Sequence, residues 1–178
     1  MNDNLLLEHI SYLRNAKLDT DFGMPQELFL LLSGLIPIVN VDLLIVNSKK
    51  QILLVKRKDA WYQNSWHIPG GCMHYGEDFM HCVQETAKRE LGTMLKVEPE
   101  PITVKNVIRG VDNTKEYPRE RGHNVAVLFK CIMPDTWNID NGDLTENDNG
   151  YMAWFNKLPD DFMEIQHVYD NVLQSWIV

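Results

Sequence analysis

The sequence predicts an α+β sandwich with a mixed, largely antiparallel β-sheet and a helical extension at its N-terminus. Three observations carry this. Short runs rich in aliphatic and β-branched residues recur along the chain. Segments with helix-spaced apolar residues interrupt them. No repeat, low-complexity tract or linker divides the 178 residues, a length that suits one domain with a substantial core.

NLLLEHISYLRNA sets Leu5, Leu6, Ile10, Tyr12 and Leu13 near helical spacing, so residues 4–16 are expected to form an amphipathic helix. MPQELFLLLSG offers a second, short helix, opened by Pro25 and stopped by Gly34. These helices make residues 1–36 an extension to a domain spanning 37–178. They either cover a face of the sheet or build a dimer contact. IPIVNVDLLIVN then reads as a buried strand, SKK as a turn, and QILLVKR as the strand returning to pair with it. SWHIP is a short strand ending at Pro69, and a helix runs from about Asp78 to Leu91 with Phe79, Val83 and Ala87 facing inward. PITVKNVIRGV and HNVAVLFKCI form a further strand pair, with Val125, Val127 and Phe129 on one side. YMAWF is the last strand, and the residues from Asp160 onward read as a closing helix. Two loops stand out: residues 112–122, with Lys115, Arg119 and Arg121, and the acidic, turn-rich residues 134–150.

A formal charge of −8 argues against a nucleic-acid partner, which calls for a basic face. An acidic protein that handles phosphates must gather its positive charge locally or recruit a cation. Three cysteines at irregular spacing suit reduced thiols in the cytoplasm better than a disulfide framework. Cys72, His74, His81 and Cys82 crowd together as zinc ligands would, but their spacing matches no ordinary zinc pattern. No stretch approaches the roughly 20 apolar residues of a membrane span, and no basic flank precedes a signal-type apolar core.

Residues 66–92 read WHIPGGCMHYGEDFMHCVQETAKRELG. A Pro-Gly-Gly turn leads through a loop into a helix bearing Glu85 and Glu90. One answer to such a pair of elements is that turn and helix together hold a metal ion against a diphosphate. Glu90 stands near the helix C-terminus, where the macrodipole disfavours negative charge unless a cation lies beside it. The same dipole favours Glu77 at the helix start, so a structural role serves it equally well. Glu85 and Arg89, at i and i+4, can pair for about 0.2–0.5 kcal/mol.

This segment resembles the signature of the Nudix hydrolases: Gly, five residues, Glu, seven residues, then Arg-Glu-U-x-Glu-Glu-x-Gly-U, with U a bulky aliphatic residue. Counted from Gly71, Glu77, Glu90 and Gly92 fall on the pattern. Glu85-Thr86 replace its Arg-Glu pair, Arg89 replaces the first Glu of the second pair, and Thr93 replaces its last aliphatic residue. RELG, together with the run from Pro37 to Gly71, resembles one subgroup, the GDP-mannose mannosyl hydrolases. The likeness covers roughly residues 37–156.

The resemblance implies a Nudix-type α/β/α sandwich, a Mg2+ cofactor (Mn2+ in its place), a nucleotide-sugar substrate such as GDP-mannose, and a homodimer. For the metal it implies the Gly70 carbonyl, Glu90 and, from the later loop, Glu146, with Glu77 a further candidate. Arg57 matches an arginine that holds the diphosphate. A second phosphate arginine falls on Cys72, leaving Arg119 or Arg121 to swing in from the basic loop, with His123 beside them as a further substrate contact. Asn147 aligns with the general base, and asparagine cannot accept a proton at neutral pH. His74, His123, Glu146 and Asp148 are the alternatives, since losing a base costs on the order of a hundred- to ten-thousandfold. Attack at the anomeric carbon, attack at phosphorus, and nucleotide binding without turnover all remain open at this point.

Overall fold

The computed structural model describes residues 3–15, 25–59, 63–108 and 121–177. Helix α1 spans Asp3–Asn15 and α2 spans Gln26–Ser33, the latter bounded by Pro25 and Gly34 as expected. Strand β1 (Ile38–Ile45) and β2 (Ile52–Asp59) do not form the expected hairpin. They share one bridge, Val46 to Ile52, and then part into different sheets. Both runs are apolar on both faces: Val41, Leu43, Leu44, Leu53 and Leu54 are all buried. Strands of that kind need cover on both sides, which stacked sheets and helices supply and a two-stranded ribbon does not.

Strand β3 is Gln63–His67, and Gly70–Cys72 form β4, a strand where a turn was expected. Leu43 N–H donates to the Pro69 carbonyl at 2.8 Å and Met73 N–H to that of Val39 at 2.9 Å, so a ladder with β1 runs through the glycines. The two glycines answer to space. A Cβ on Gly70 would overlap Asp42 Oδ1, and one on Gly71 would lie 2.5 Å from Thr86 Oγ1 and 2.7 Å from Arg89 Nη2.

Helix α3 spans Phe79–Leu91, with Asp78 as its N-cap, accepting from His81 N–H at 2.8 Å. Gly92 ends it in the left-handed region at φ 67°, where glycine is the natural choice. Its buried side is Cys82, Val83, Thr86, Ala87 and Leu91. Phe79 sits half-out instead of inward, its ring 5.6 Å from that of Phe129. Strands β5 (Lys96–Val97), β6 (Thr103–Ile108), β7 (His123–Ile132) and β8 (Met152–Phe155) follow. β6 and β7 pair antiparallel as expected. The closing helix is shorter than its apolar spacing suggests: a 3-10 segment, Glu164–Tyr169, then α4, Asp170–Leu173. Trp66 N–H donates to the Asp161 carbonyl and Met163 N–H to the Trp66 carbonyl, so a turn and a single parallel bridge from Phe162 to Trp66 take up residues 160–163 before the helical segment starts.

The larger sheet runs β4-β1-β7-β5 with β6 also on β7, and β1 and β7 are parallel; the smaller sheet is β3-β2-β8. Alternation along β1, β2 and β7 splits the core in two. Val41, Leu43, Leu53, Val55, Val127 and Phe129 pack towards α3. Leu44, Leu54, Ala126 and Leu128 pack with Phe162, Tyr169 and Leu173 on the other side. The result is the α/β/α arrangement the sequence predicts. Its cleft opens where β4 and α3 face the ends of β2 and α2.

Candidate active site

A cleft of about 580 Å³ is lined by β2 residues Lys56, Arg57, Lys58 and Asp59, by Gly70, Gly71 and Cys72, and by Arg89 and Glu90 of α3. Phe29, Asn40, Asp42, His67, Arg121, Asn124, Asn149 and Gln166 complete its polar and aromatic walls. Of the residues expected from the sequence, Gly70, Glu90, Arg57, Cys72 and Arg121 therefore come together. Arg57 Nε donates to Asp59 Oδ2 at 2.6 Å, which fixes the guanidinium at the end of β2. Burial pushes the Cys72 thiol above its ordinary pKa, so it faces the cleft uncharged. All three cysteines are free thiols, and burial lifts Cys82 and Cys131 to about 12. Cys82 donates to the Cys72 carbonyl at 3.7 Å, and among the described residues no group of three or more His, Cys, Asp or Glu could hold a metal ion.

Other expected residues stand elsewhere. Arg119 and Lys115 lie outside the described residues. Glu77 braces the loop before α3: it accepts from His74 N–H at 2.7 Å, with the His74 and His81 rings 3.6 and 3.9 Å away. His123 Nε2 pairs with Asn106 Oδ1 at 2.7 Å across β6 and β7. Glu146 and Asn147 are exposed and do not line the cleft. Thr145 and Asp148 close a tight turn that carries both outward. The Thr145 hydroxyl and amide donate to Asp148 at 2.6 and 2.8 Å and hold its carboxyl below the usual carboxylate range. Asn149 and Gly150 reach the cleft in their place. Lys58 N–H donates to Asn149 Oδ1 at 3.0 Å and Gly150 N–H to the Lys56 carbonyl at 2.8 Å, which stitches this loop to β2.

Four cleft groups had no clear sequence signal. His67 is buried with Nδ1 on the Val55 carbonyl at 2.8 Å, and burial drops its pKa to about 4, so the ring is neutral. Only the strand register of SWHIP could have placed it. Asp42, directly opposite Gly70 in the ladder, is lifted to about 6 by burial, although hydrogen bonds from Tyr169 and Gln166 oppose the rise. Lys56 is buried with Nζ on Asp161 at 2.6 Å and 4.9 Å from the centre of the Trp66 ring.

The fourth group is Arg89. Its expected partner Glu85 lies nearer Lys88, at 3.9 Å. Arg89 turns instead across the glycine strand: Nη2 donates to the Gly70 carbonyl at 3.3 Å and Nε to Glu90 Oε1 at 3.1 Å. One cation thus spans the carbonyl and the carboxylate that the resemblance assigns to the metal. Those two oxygens fit a hard divalent ion, provided that water and phosphate oxygens complete its shell.

The sequence matches the NUDIX domain model over residues 37–162. The chain belongs to the Nudix family. A Nudix hydrolase is accordingly the enzyme class that it represents. No curated protein matched the sequence. Among solved structures it is similar to a MutT NUDIX hydrolase from Burkholderia pseudomallei, with 20% identity, TM-score 0.57, and coverage of 80% of this chain and 99% of that one. A MutT protein from Methanosarcina mazei Go1 is similar at 16% identity and TM-score 0.56, covering 78% and 94%. A UDP-X diphosphatase is similar at 20% identity and TM-score 0.56, covering 97% of this chain and 77% of that one. At such identities these are likenesses of fold. Among the described residues no helix is long and apolar enough to cross a membrane.

Proposed function

We propose that this Nudix protein hydrolyses a nucleoside diphosphate linked to a second group, with a nucleotide sugar such as GDP-mannose as the favoured substrate. One observation carries the reading. In a chain of net charge −8, Lys56, Arg57, Lys58, Arg89 and Arg121 gather five basic side chains around one cleft that contains three acids, Asp42, Asp59 and Glu90. Local positive charge of that kind suits a diphosphate and neutralises the charge that builds on it as the bond breaks.

The Gly70 carbonyl and Glu90 would hold Mg2+ or Mn2+, which supplies Lewis-acid polarisation of the phosphate oxygens when bound. Arg57 grips the diphosphate, and the nucleoside lies towards Phe29 and Arg121. For the proton of the attacking water the cleft offers His67. Its Nδ1 is engaged by the Val55 carbonyl, and this leaves the Nε2 lone pair to accept. A homodimer would use the exposed Leu5, Leu6, Ile10 and Leu13 of α1, and light scattering of the purified protein tests that.

Attack at phosphorus is the second reading, favoured by the fold likeness to a UDP-X diphosphatase. A product screen over nucleotide sugars, dinucleotides and triphosphates with Mg2+ tests the activity. Hydrolysis in oxygen-18 water then separates the two readings: label in the sugar supports attack at carbon, label in phosphate attack at phosphorus. Glu90→Gln should abolish turnover, and product formation that survives this change removes the metal assignment.

A further inference from the structure

We propose that Arg89 is a built-in competitor for the divalent cation: its guanidinium occupies the gap between the Gly70 carbonyl and Glu90, and metal loading must displace it. The inference rests on the metal-bearing reading above. Four observations support it. Arg89 stands at a position where the Nudix pattern carries a glutamate, so the chain has exchanged a negative group for a positive one at this point. Its Nη2 is 3.3 Å from the Gly70 oxygen, and its Nε is 3.1 Å from Glu90 Oε1. Nη2 also lies only 2.7 Å from where a Cβ on Gly71 would sit, so the guanidinium is packed close against the glycine strand. The Arg89 side chain is 53% exposed, which lets it leave the gap without disturbing the core.

The physical consequence is a competition for the same two oxygens. A guanidinium and a divalent ion cannot both sit there, and two like charges that close repel. Displacement is cheap, because a half-exposed ion pair is worth little. Once released, Arg89 remains at the cleft wall, where its fork can take a phosphate oxygen. Binding of metal and of the anionic substrate thus becomes coupled: the metal frees Arg89, and the phosphate gives it a new partner.

Mn2+ affinity, read directly by electron paramagnetic resonance on the folded protein without nucleotide, tests this. Arg89→Gln removes the competing charge and should bind Mn2+ about tenfold more tightly than the wild type. Arg89→Lys keeps the charge but loses the fork, and should fall between the two. In the wild type, the Arg89 Nε–H signal in nitrogen-15 spectra should shift and lose protection from exchange as Mg2+ is added. Unchanged or weaker Mn2+ binding by Arg89→Gln, or an Nε–H signal indifferent to Mg2+, overturns the proposal. Failure of the function itself looks different: metal binding would follow the expected order while no nucleotide derivative is hydrolysed.

Discussion

Tyr169 Oη donates to Asp42 Oδ2 at 2.8 Å, joining the end of the 3-10 segment to β1 directly behind the glycine strand. Gln166 Nε2 approaches the other carboxyl oxygen at 3.3 Å, so a buried acid is held by two neutral donors. Burial prevails over those donors and lifts Asp42 from 3.8 to about 6. A native pKa above the unfolded one means that the folded state holds its proton more tightly. Stability is therefore lost as pH rises from about 4 to about 6, and the loss is complete above that. Asp42→Asn removes this term. Urea unfolding should show the variant gaining on the wild type by about 3 kcal/mol between those pH values. A difference that stays flat would mean that the carboxyl titrates normally.

His67 runs the other way. Its native pKa is about 4 against an ordinary 6.5, so the unfolded chain takes up the proton first as pH falls. Its contribution is intact above pH 6.5 and is lost on acidification towards 4, by about 3 kcal/mol. Nitrogen-15 spectra at pH 6 should show a neutral ring protonated on Nδ1, as its bond to the Val55 carbonyl requires. If His67 accepts the proton of the attacking water, His67→Gln should lower kcat by about a hundredfold while nucleotide affinity changes little. An unchanged kcat would return the base to another residue.

The family and the layered fold were legible because their signals are local. Helix α3 announces itself through Asp78, its 3.6-residue apolar spacing and Gly92, and β6 and β7 through alternation. Partnership was not legible. Nothing in PIVNVDLLIVNSKKQILLVKR says that β1 and β2 enter different sheets, since a two-faced apolar strand fits either a hairpin or a stacked pair. The site divides in the same way. Gly70, Glu90 and Arg57 sit on regular elements, where register carries them to the cleft. Glu146 and Asn147 sit in an irregular loop whose Thr145–Asp148 turn shifts the inward position to Asn149, and counting residues cannot anticipate that.

Gly71 is a position where volume decides. An added methyl would meet Thr86 Oγ1 at 2.5 Å, and Thr86 is buried and cannot swing away. Gly71→Ala should therefore cost about 1–3 kcal/mol. Thr86→Ala removes the obstructing oxygen, so the double variant should be more stable than the sum of the single changes by about 1 kcal/mol. Additive losses would place the strain elsewhere, against the Arg89 guanidinium, and Gly71→Ala would then tighten Mn2+ binding by expelling it.

The division at residue 36 can be tested through α2. Ser33 is buried, and its Oγ accepts from Arg121 N–H at 2.9 Å, while the Arg121 guanidinium lies 5.4 Å from the Phe29 ring centre. Helix α2 thus packs into the body of the domain and forms one wall of the cleft. Ser33→Ala removes the Oγ that accepts from the Arg121 amide and should cost about 1–3 kcal/mol in unfolding experiments. Phe29→Ala removes the surface against which Arg121 rests without touching the Gly70–Glu90 gap. If the nucleoside lies on that side, KM should rise roughly tenfold with kcat nearly unchanged, the signature of lost ground-state binding. A fall in kcat at constant KM would instead place Phe29 close to the breaking bond and reverse the proposed orientation of the substrate.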